Sequence, residues 1–156
     1  MPRLEIPVQL RWGDLDAYQH VNNAAMLHIL EEARIEGFWK QPEESEPRYP
    51  TAVLDSGLES GSPSFVARQE IEYLAPLDYR RQPVIVEMWI GKLGGSSADV
   101  CCLVKDPGPE GTVFARATTT VVFIDMATGR SQRIDDETRA AWEPYVDEPI
   151  KFRHRV

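Results

Sequence analysis

Leu4, Ile6, Val8 and Leu10 are apolar, and the residues between them are polar or proline. Alternation of this kind belongs to a strand with one buried face, and it predicts a strand over Leu4 to Arg11. Pro7 cannot donate to a ladder, which suits an edge strand or a bulge. Trp12 to Asn22 breaks the alternation with Gly, Asp, His and Asn and reads as a loop. From Asn23 to about Trp39 the period becomes helical. Met26, Leu27, Ile29, Leu30, Ala33, Gly37 and Phe38 fall on one broad face at about 100° per residue, with His28, Glu31 and Glu32 opposite. Asn22 or Asn23 suits the N-cap. Arg34 projects close to the apolar arc, where a charge is tolerated when paired, and Glu31, one turn earlier, is the nearby candidate.

Gln41 to Pro50 holds three prolines and three glutamates and reads as a loop. Strand patterns dominate beyond it. Thr51 to Ser60 predicts a short strand, Phe65 to Leu74 an alternating one, and Pro83 to Leu93 a longer one ended by the Gly94-Gly95 turn. Ser97 to Val104 follows, then a Pro/Gly turn over Asp106 to Gly111, then Val113 to Asp125 as the longest β-rich run. Ala127 to Gly129 is a turn, Arg130 to Ile134 a short strand, and Asp135 to Tyr145 a terminal helix with an acidic first turn. The order is one strand, one apolar helix, then a run of antiparallel-looking strands. That is an α+β class, with one helix against one sheet. Such a sheet leaves edges and an outer face exposed, which favours association.

Composition adds limits. The 156 residues suit a single domain over 1–156, and 42% apolar with 27% charged residues suits a packed core. The formal net charge of -8 would be repelled by nucleic acid, so a phosphate-bearing ligand needs a local basic patch. No apolar stretch approaches the roughly 18 residues of a membrane helix. The first ten residues lack a signal peptide's apolar block, so the expected location is the cytoplasm, without a membrane partner. Cys101 and Cys102 are adjacent and in a strand point to opposite faces, so no disulfide between them is expected, and one of them should pack inside. No Cys/His cluster has metal spacing, and no metal or cofactor is expected.

Candidate chemistry gathers in Arg11 to Asn23. Two carboxylates, a histidine and two asparagines lie within ten residues of a helix start. A helix N-terminus offers unpaired amide N–H groups and a partial positive charge. Those amides can polarise a carbonyl and stabilise the oxyanion formed on attack. A nearby carboxylate can attack directly or deprotonate water. A thioester carbonyl is electrophilic enough for this without a metal. Asp and Asn are also the ordinary residues of turns and caps, so the density of the group carries the argument rather than any one member.

Gly13-Asp14-Leu15-Asp16, His20-Val21-Asn22-Asn23 and Glu32-Ala33-Arg34 together resemble the start of the hotdog acyl-CoA thioesterases typified by 4-hydroxybenzoyl-CoA thioesterase. The His-Val-Asn-Asn run also resembles that of plant acyl-carrier-protein thioesterases. Weaker similarity continues through Tyr73 to Leu77, Gly94 to Ser97 and Val121 to Asp125. The resemblance implies a long central helix wrapped by a curved antiparallel sheet. It also implies dimers that often pair into tetramers, with active sites at the subunit interface. It places catalysis on Asp16 as nucleophile or general base. His20 and Asn22 position substrate or water, and the amides of Asn23, Ala24 and Ala25 polarise the carbonyl. The chain departs from the family at Met26, where many relatives carry an aromatic, and at Gln19, where they carry Gly. Asp78 to Arg81 stands where a Gly-Asp pair often occurs. These departures bear on the acyl pocket more than on the reaction. Some relatives use a helix glutamate, for which Glu31 and Glu32 are available.

The substrate partner expected is an acyl-CoA. Arg80, Arg81, Lys92 and Arg130 are candidates for its phosphates, with ordinary surface charge as the plain alternative. Ser96 and Ser97 are candidates for the pantetheine path. Trp89 and Trp142 suit a core or an interface. The hydratase members of the fold resemble a pattern with Asp and His five apart and Asn-Pro between. Here Asp16 and His20 are four apart and no Asn-Pro occurs. A non-catalytic acyl-thioester binder is the rival from another class.

Overall fold

The computed structural model describes residues 2–41, 43, 46–55 and 63–153. The elements are β1 (Leu4–Val8), α1 (Asn23–Phe38), β2 (Ser64–Tyr73), β3 (Val84–Leu93), β4 (Ser97–Lys105), β5 (Val113–Phe123) and α2 (Asp136–Trp142). The strands form one five-stranded sheet in the order β1-β3-β4-β5-β2, and every neighbouring pair is antiparallel. Pro7 sits in an edge strand, as its missing donor predicts.

α1 has 16 residues, so its axis is about 24 Å long. Its buried side, Met26, Ile29, Leu30, Ala33, Gly37 and Phe38, follows the predicted apolar arc. It joins Ile6, Val86, Met88, Val100, Cys102, Val104 and Ala117 in one apolar core. Gly37 lets the helix end approach the sheet, because a Cβ there would lie 2.7 Å from Met88 Cε and 2.9 Å from Ile6 Cδ1. Trp142 of α2 closes the same end. It stacks near Phe38 and Phe123, and its indole N–H donates to the Thr51 carbonyl at 2.9 Å. Trp142 is therefore a core residue.

Several expectations need correction. β1 ends at Val8 rather than Arg11, because the chain leaves the ladder and enters a single 3-10 turn at Trp12–Asp14. α1 stops at Phe38, with Trp39 in extended conformation. Of the strand expected over Thr51 to Ser60, the described part gives one bridge, Leu54 to Trp39; residues 56–60 lie outside the described residues. Arg130 to Ile134 likewise gives one bridge, Ser131 to Ile124, rather than a strand. Arg34 is buried but is not ion-paired with Glu31; among the described residues its one hydrogen bond is to Thr119, across the core.

The sheet's outer face is partly covered by residues 147–153. Trp89 donates its indole N–H to the Glu148 carbonyl at 2.8 Å, Arg3 pairs with Asp147 at 2.9 Å, and the Arg153 amide donates to Glu72 at 3.2 Å. Cys101 and Cys102 are free thiols, and both are buried rather than one. Cys102 lies in the core and Cys101 under Pro149 and Ile150. Among the described residues no helix is long and apolar enough to cross a membrane.

Candidate active site

The Asp-x-Asp pair separates into two roles. Asp14 is buried and fully engaged. Its carboxylate accepts from the Arg11 amide at 2.8 Å and from the Arg11 guanidinium at 2.9 Å, while its carbonyl accepts from the Asn22 amide at 2.8 Å. It braces the loop. Asp16 is half-buried. Its Oδ1 accepts from the amides of Tyr18 at 2.8 Å and His20 at 3.4 Å, while its Oδ2 has no hydrogen-bond partner among the described residues. Backbone bonds Asp16 N to His20 O at 2.8 Å and Gln19 N to Asp16 O at 3.0 Å close the turn. Closing it so tightly puts Gln19 at φ 64, in the left-handed region that favours glycine.

The loop delivers the chain to α1. Asn22 is the N-cap, its Oδ1 accepting from the Ala24 amide at 2.8 Å. The Met26 amide starts the helical ladder on the Asn22 carbonyl. The amides of Asn23 and Ala25 have no partner among the described residues, so two donors stand free at the helix start, and Asn23 shares a cleft with Asp16. Ala24's amide, expected to join them, is occupied by the cap.

These residues share one cleft of about 430 Å³, lined by Asp16, His20, Asn22, Asn23 and Met26 on one wall and by Tyr73 to Leu77 on the other. The Tyr73 hydroxyl donates to the Asn23 carbonyl at 2.9 Å, tying the end of β2 to the first turn of α1. His20 Nε2 lies 3.6 Å from Asp78 Oδ1, and the two residues also form a backbone bridge. The second wall and Asp78 carry no local sequence signal of a site. The Tyr73-to-Leu77 block was visible only as a family-like stretch, and nothing local in it signals chemistry.

The remaining candidates lie apart. Arg80 is not free for phosphate: its guanidinium pairs with Asp106 and lies 5.0 Å over the Phe114 ring. Arg81 is exposed, and its side chain has no partner among the described residues. Ser96 and Ser97 sit at the other end of the sheet, beside Phe123 and Val122 and near the start of β2. Glu31 lines a separate groove with Arg34, and Glu32 lines one between β1 and α1; neither lines the Asp16 cleft. Lys92 and Arg130 are exposed. Trp89 packs on the outer face, with Arg3 3.7 Å over its ring. Among the described residues no group of three or more His, Cys, Asp or Glu is placed to hold a metal ion.

A carboxylate with one oxygen free, near a helix start with two unpartnered amides, has the groups that acyl transfer to water needs. That is the class to which the comparisons lead. Residues 10–142 match the model of the thioesterase-like superfamily, and the chain belongs to that family. It is 30% identical over 152 residues to the long-chain acyl-CoA thioesterase FadM of Escherichia coli K12, covering 92% of this chain and 99% of that protein. A Thermus thermophilus thioesterase solved with coenzyme A and Zn is 29% identical with a TM-score of 0.66, over 94% of this chain and 96% of the other. A thioesterase-superfamily structure from Jannaschia sp. CCS1, 21% identical, shares the fold with a TM-score of 0.73 over 94% and 98% of the two chains.

Proposed function

We propose that this chain hydrolyses an acyl-CoA to the free acid and CoA, with Asp16 as the catalytic carboxylate. Thioester hydrolysis follows from family membership. The observation that carries the Asp16 assignment is the free Oδ2 in one cleft with Asn23, at a helix start whose Asn23 and Ala25 amides have no partner among the described residues. The thioester carbonyl oxygen would accept from those two amides. Asp16 would take a proton from water as the water oxygen bonds to the carbonyl carbon. The tetrahedral oxyanion would then collapse, breaking the C–S bond, and the departing thiolate would take up a proton. Direct attack by Asp16 is the second route, through an acyl-carboxylate anhydride that water cleaves. His20, held by the turn and by Asp78, and the Asn22 amide group would orient substrate or water.

The chain acts as a homo-oligomer, a dimer or tetramer, in the cytoplasm and in lipid metabolism. The hotdog arrangement of a central helix wrapped by the sheet, over residues 1–156 as one domain, belongs to the same reading. Support for association comes from β2. It is a ten-residue edge strand with Phe65, Val66 and Tyr73 each close to half exposed. Two copies related by a twofold axis would pair such edges antiparallel. That would set the partner's Ser64 end against the Tyr73 end of this chain. The partner subunit's Ser96 and the partner subunit's Ser97 would then approach the Asp16 cleft, and Arg81 would remain for CoA phosphates.

The test is release of free thiol from a panel of acyl-CoAs of graded chain length and from an aryl-CoA. The reading expects turnover that peaks within the panel. Binding of acyl-CoA without thiol release would instead make the chain a binding module.

A further inference from the structure

α1 and β2 enclose a second groove beyond the Asp16 cleft, of about 390 Å³, between the C-terminal half of the helix and the start of the strand. Ile35, Trp39, Phe65, Val66 and Val121 give it apolar walls. Arg34 stands in that apolar lining, only 5% exposed. Its Nη1 donates to Thr119 Oγ1 at 3.4 Å, and that hydroxyl donates on to Gln69 Oε1 at 3.2 Å. No other donor of the guanidinium has a partner among the described residues, and no carboxylate lies within 4 Å of it. Burial holds the Arg34 guanidinium below its ordinary range, with Cys102 and Glu31 opposing the shift. The group still remains charged, because an arginine does not give up its proton in a protein. A buried cation without a counter-charge costs several kcal/mol. An anion entering the groove would recover that cost through charge-assisted, bidentate hydrogen bonds.

We propose that this groove binds a carboxylate borne on a hydrocarbon chain, with Arg34 as its anion partner. The walls exclude a compact hydrated anion such as phosphate, because they would leave most of its oxygens without donors. They suit an alkyl body. Exposed Glu31 and Lys40 also line the groove; Glu31 repels a carboxylate and Lys40 attracts it, with Lys40 Nζ 3.3 Å from Asp55. The buried charge is therefore the cation alone. Two sources carry this chemistry: a free fatty acid, and the far end of an acyl thioester bearing an ω-carboxylate. The second rests on the acyl-CoA reading; the first is measured without turnover.

The experiment titrates wild type, Arg34→Met and Ile35→Glu with dodecanoate and with dodecanol. It then compares dodecanoyl-CoA with the CoA thioester of dodecanedioic acid. Wild type should bind dodecanoate about tenfold or more tightly than dodecanol, the scale of a charge-assisted hydrogen bond. Arg34→Met should remove that preference while melting at a higher temperature without ligand. Ile35→Glu changes an exposed helix position outside the core, and it should weaken both ligands, dodecanoate more than dodecanol because the new charge repels it. A loss confined to free dodecanoate assigns the groove to the released acid. A loss confined to the dicarboxylic thioester assigns it to the substrate's far end. Equal binding of acid and alcohol by wild type would overturn the proposal. So would unchanged dodecanoate affinity in Arg34→Met, or a shift of Arg34→Met to monomer with affinity intact, since the counter-charge would then come from a second copy.

Discussion

At the scale of single residues, two aspartates two positions apart do different work, and their hydrogen bonds say which. Asp14 spends both carboxylate oxygens on Arg11, whereas Asp16 keeps one oxygen free. Asp14→Asn should therefore cost stability, on the order of 1–2 kcal/mol for a charge-assisted contact with a largely exposed arginine, and leave much of the turnover. Urea unfolding set beside the thiol-release rate separates the two effects. Gln19 tests the turn itself. At φ 64 it occupies a conformation that costs a side-chain-bearing residue about 1 kcal/mol or more. Gln19→Gly removes that strain and adds unfolded-state entropy, so a net gain of up to about 1 kcal/mol is expected. A lower urea midpoint for Gln19→Gly would show the turn to be unstrained. At this scale the sequence was readable where chemistry is local. Asp16, His20 and Asn22 stand out by their density before a helix, and the structure brings them to one cleft. Arg34 was placed beside the apolar arc correctly, but its expected partner one turn earlier, Glu31, is replaced by Thr119 across the core.

At the scale of elements, the start of α1 and the end of β2 wall the Asp16 cleft between them. Asn22 fixes where the helix starts, and so where the free amides point. Asn22→Ala should cost about 1 kcal/mol through the lost cap and also lower turnover, whereas Asn22→Asp should keep the cap and recover the stability. β2 carries the association prediction. Phe65→Lys with Val66→Lys places charge on an exposed edge, and sedimentation should show smaller particles with slower turnover. Normal turnover by a monomer would mean that one chain completes the site. Period 3.6 located α1 and strand-like runs located β2 to β5 to within a few residues; burial on one face enforces the period in α1 and β5, whereas β2 alternates in sequence while its residues stay largely exposed. Thr51 to Asp55 and Arg130 to Ile134 have strand-like composition but only single bridges. A strand requires a neighbour, and composition does not supply one.

At the scale of the whole molecule, the strand order was the part least visible in the chain. β2 follows α1 in sequence yet lies at the far edge beyond β5. That placement sends Ser96 and Ser97 away from Asp16 and leaves β2 open to a second copy. Residues 147–153 lack any strong pattern, and their crossing of the outer face depends on contacts from Arg3, Trp89 and Glu72, distant in sequence. The core makes its own prediction through Cys102, whose thiol burial pushes from an ordinary 9.0 up to about 12. Below the lower value both folded and unfolded chains hold the proton. Between the two, only the folded chain does, so stability falls as pH rises through that window. Cys102→Ala should flatten the fall in unfolding midpoint across it; an unchanged slope would place the cause in other groups.

The most direct test of the account is the rate of thiol release by Asp16→Asn on the best acyl-CoA of the wild-type panel. The substitution keeps size and hydrogen bonding but removes the charge that takes a proton or attacks the carbonyl. The account predicts a loss of about a hundredfold or more in kcat, the scale of a missing general base or nucleophile, with the fold intact by circular dichroism. Full activity in Asp16→Asn would contradict it, move the chemistry out of this cleft, and make Glu31 and Glu32 the next residues to replace.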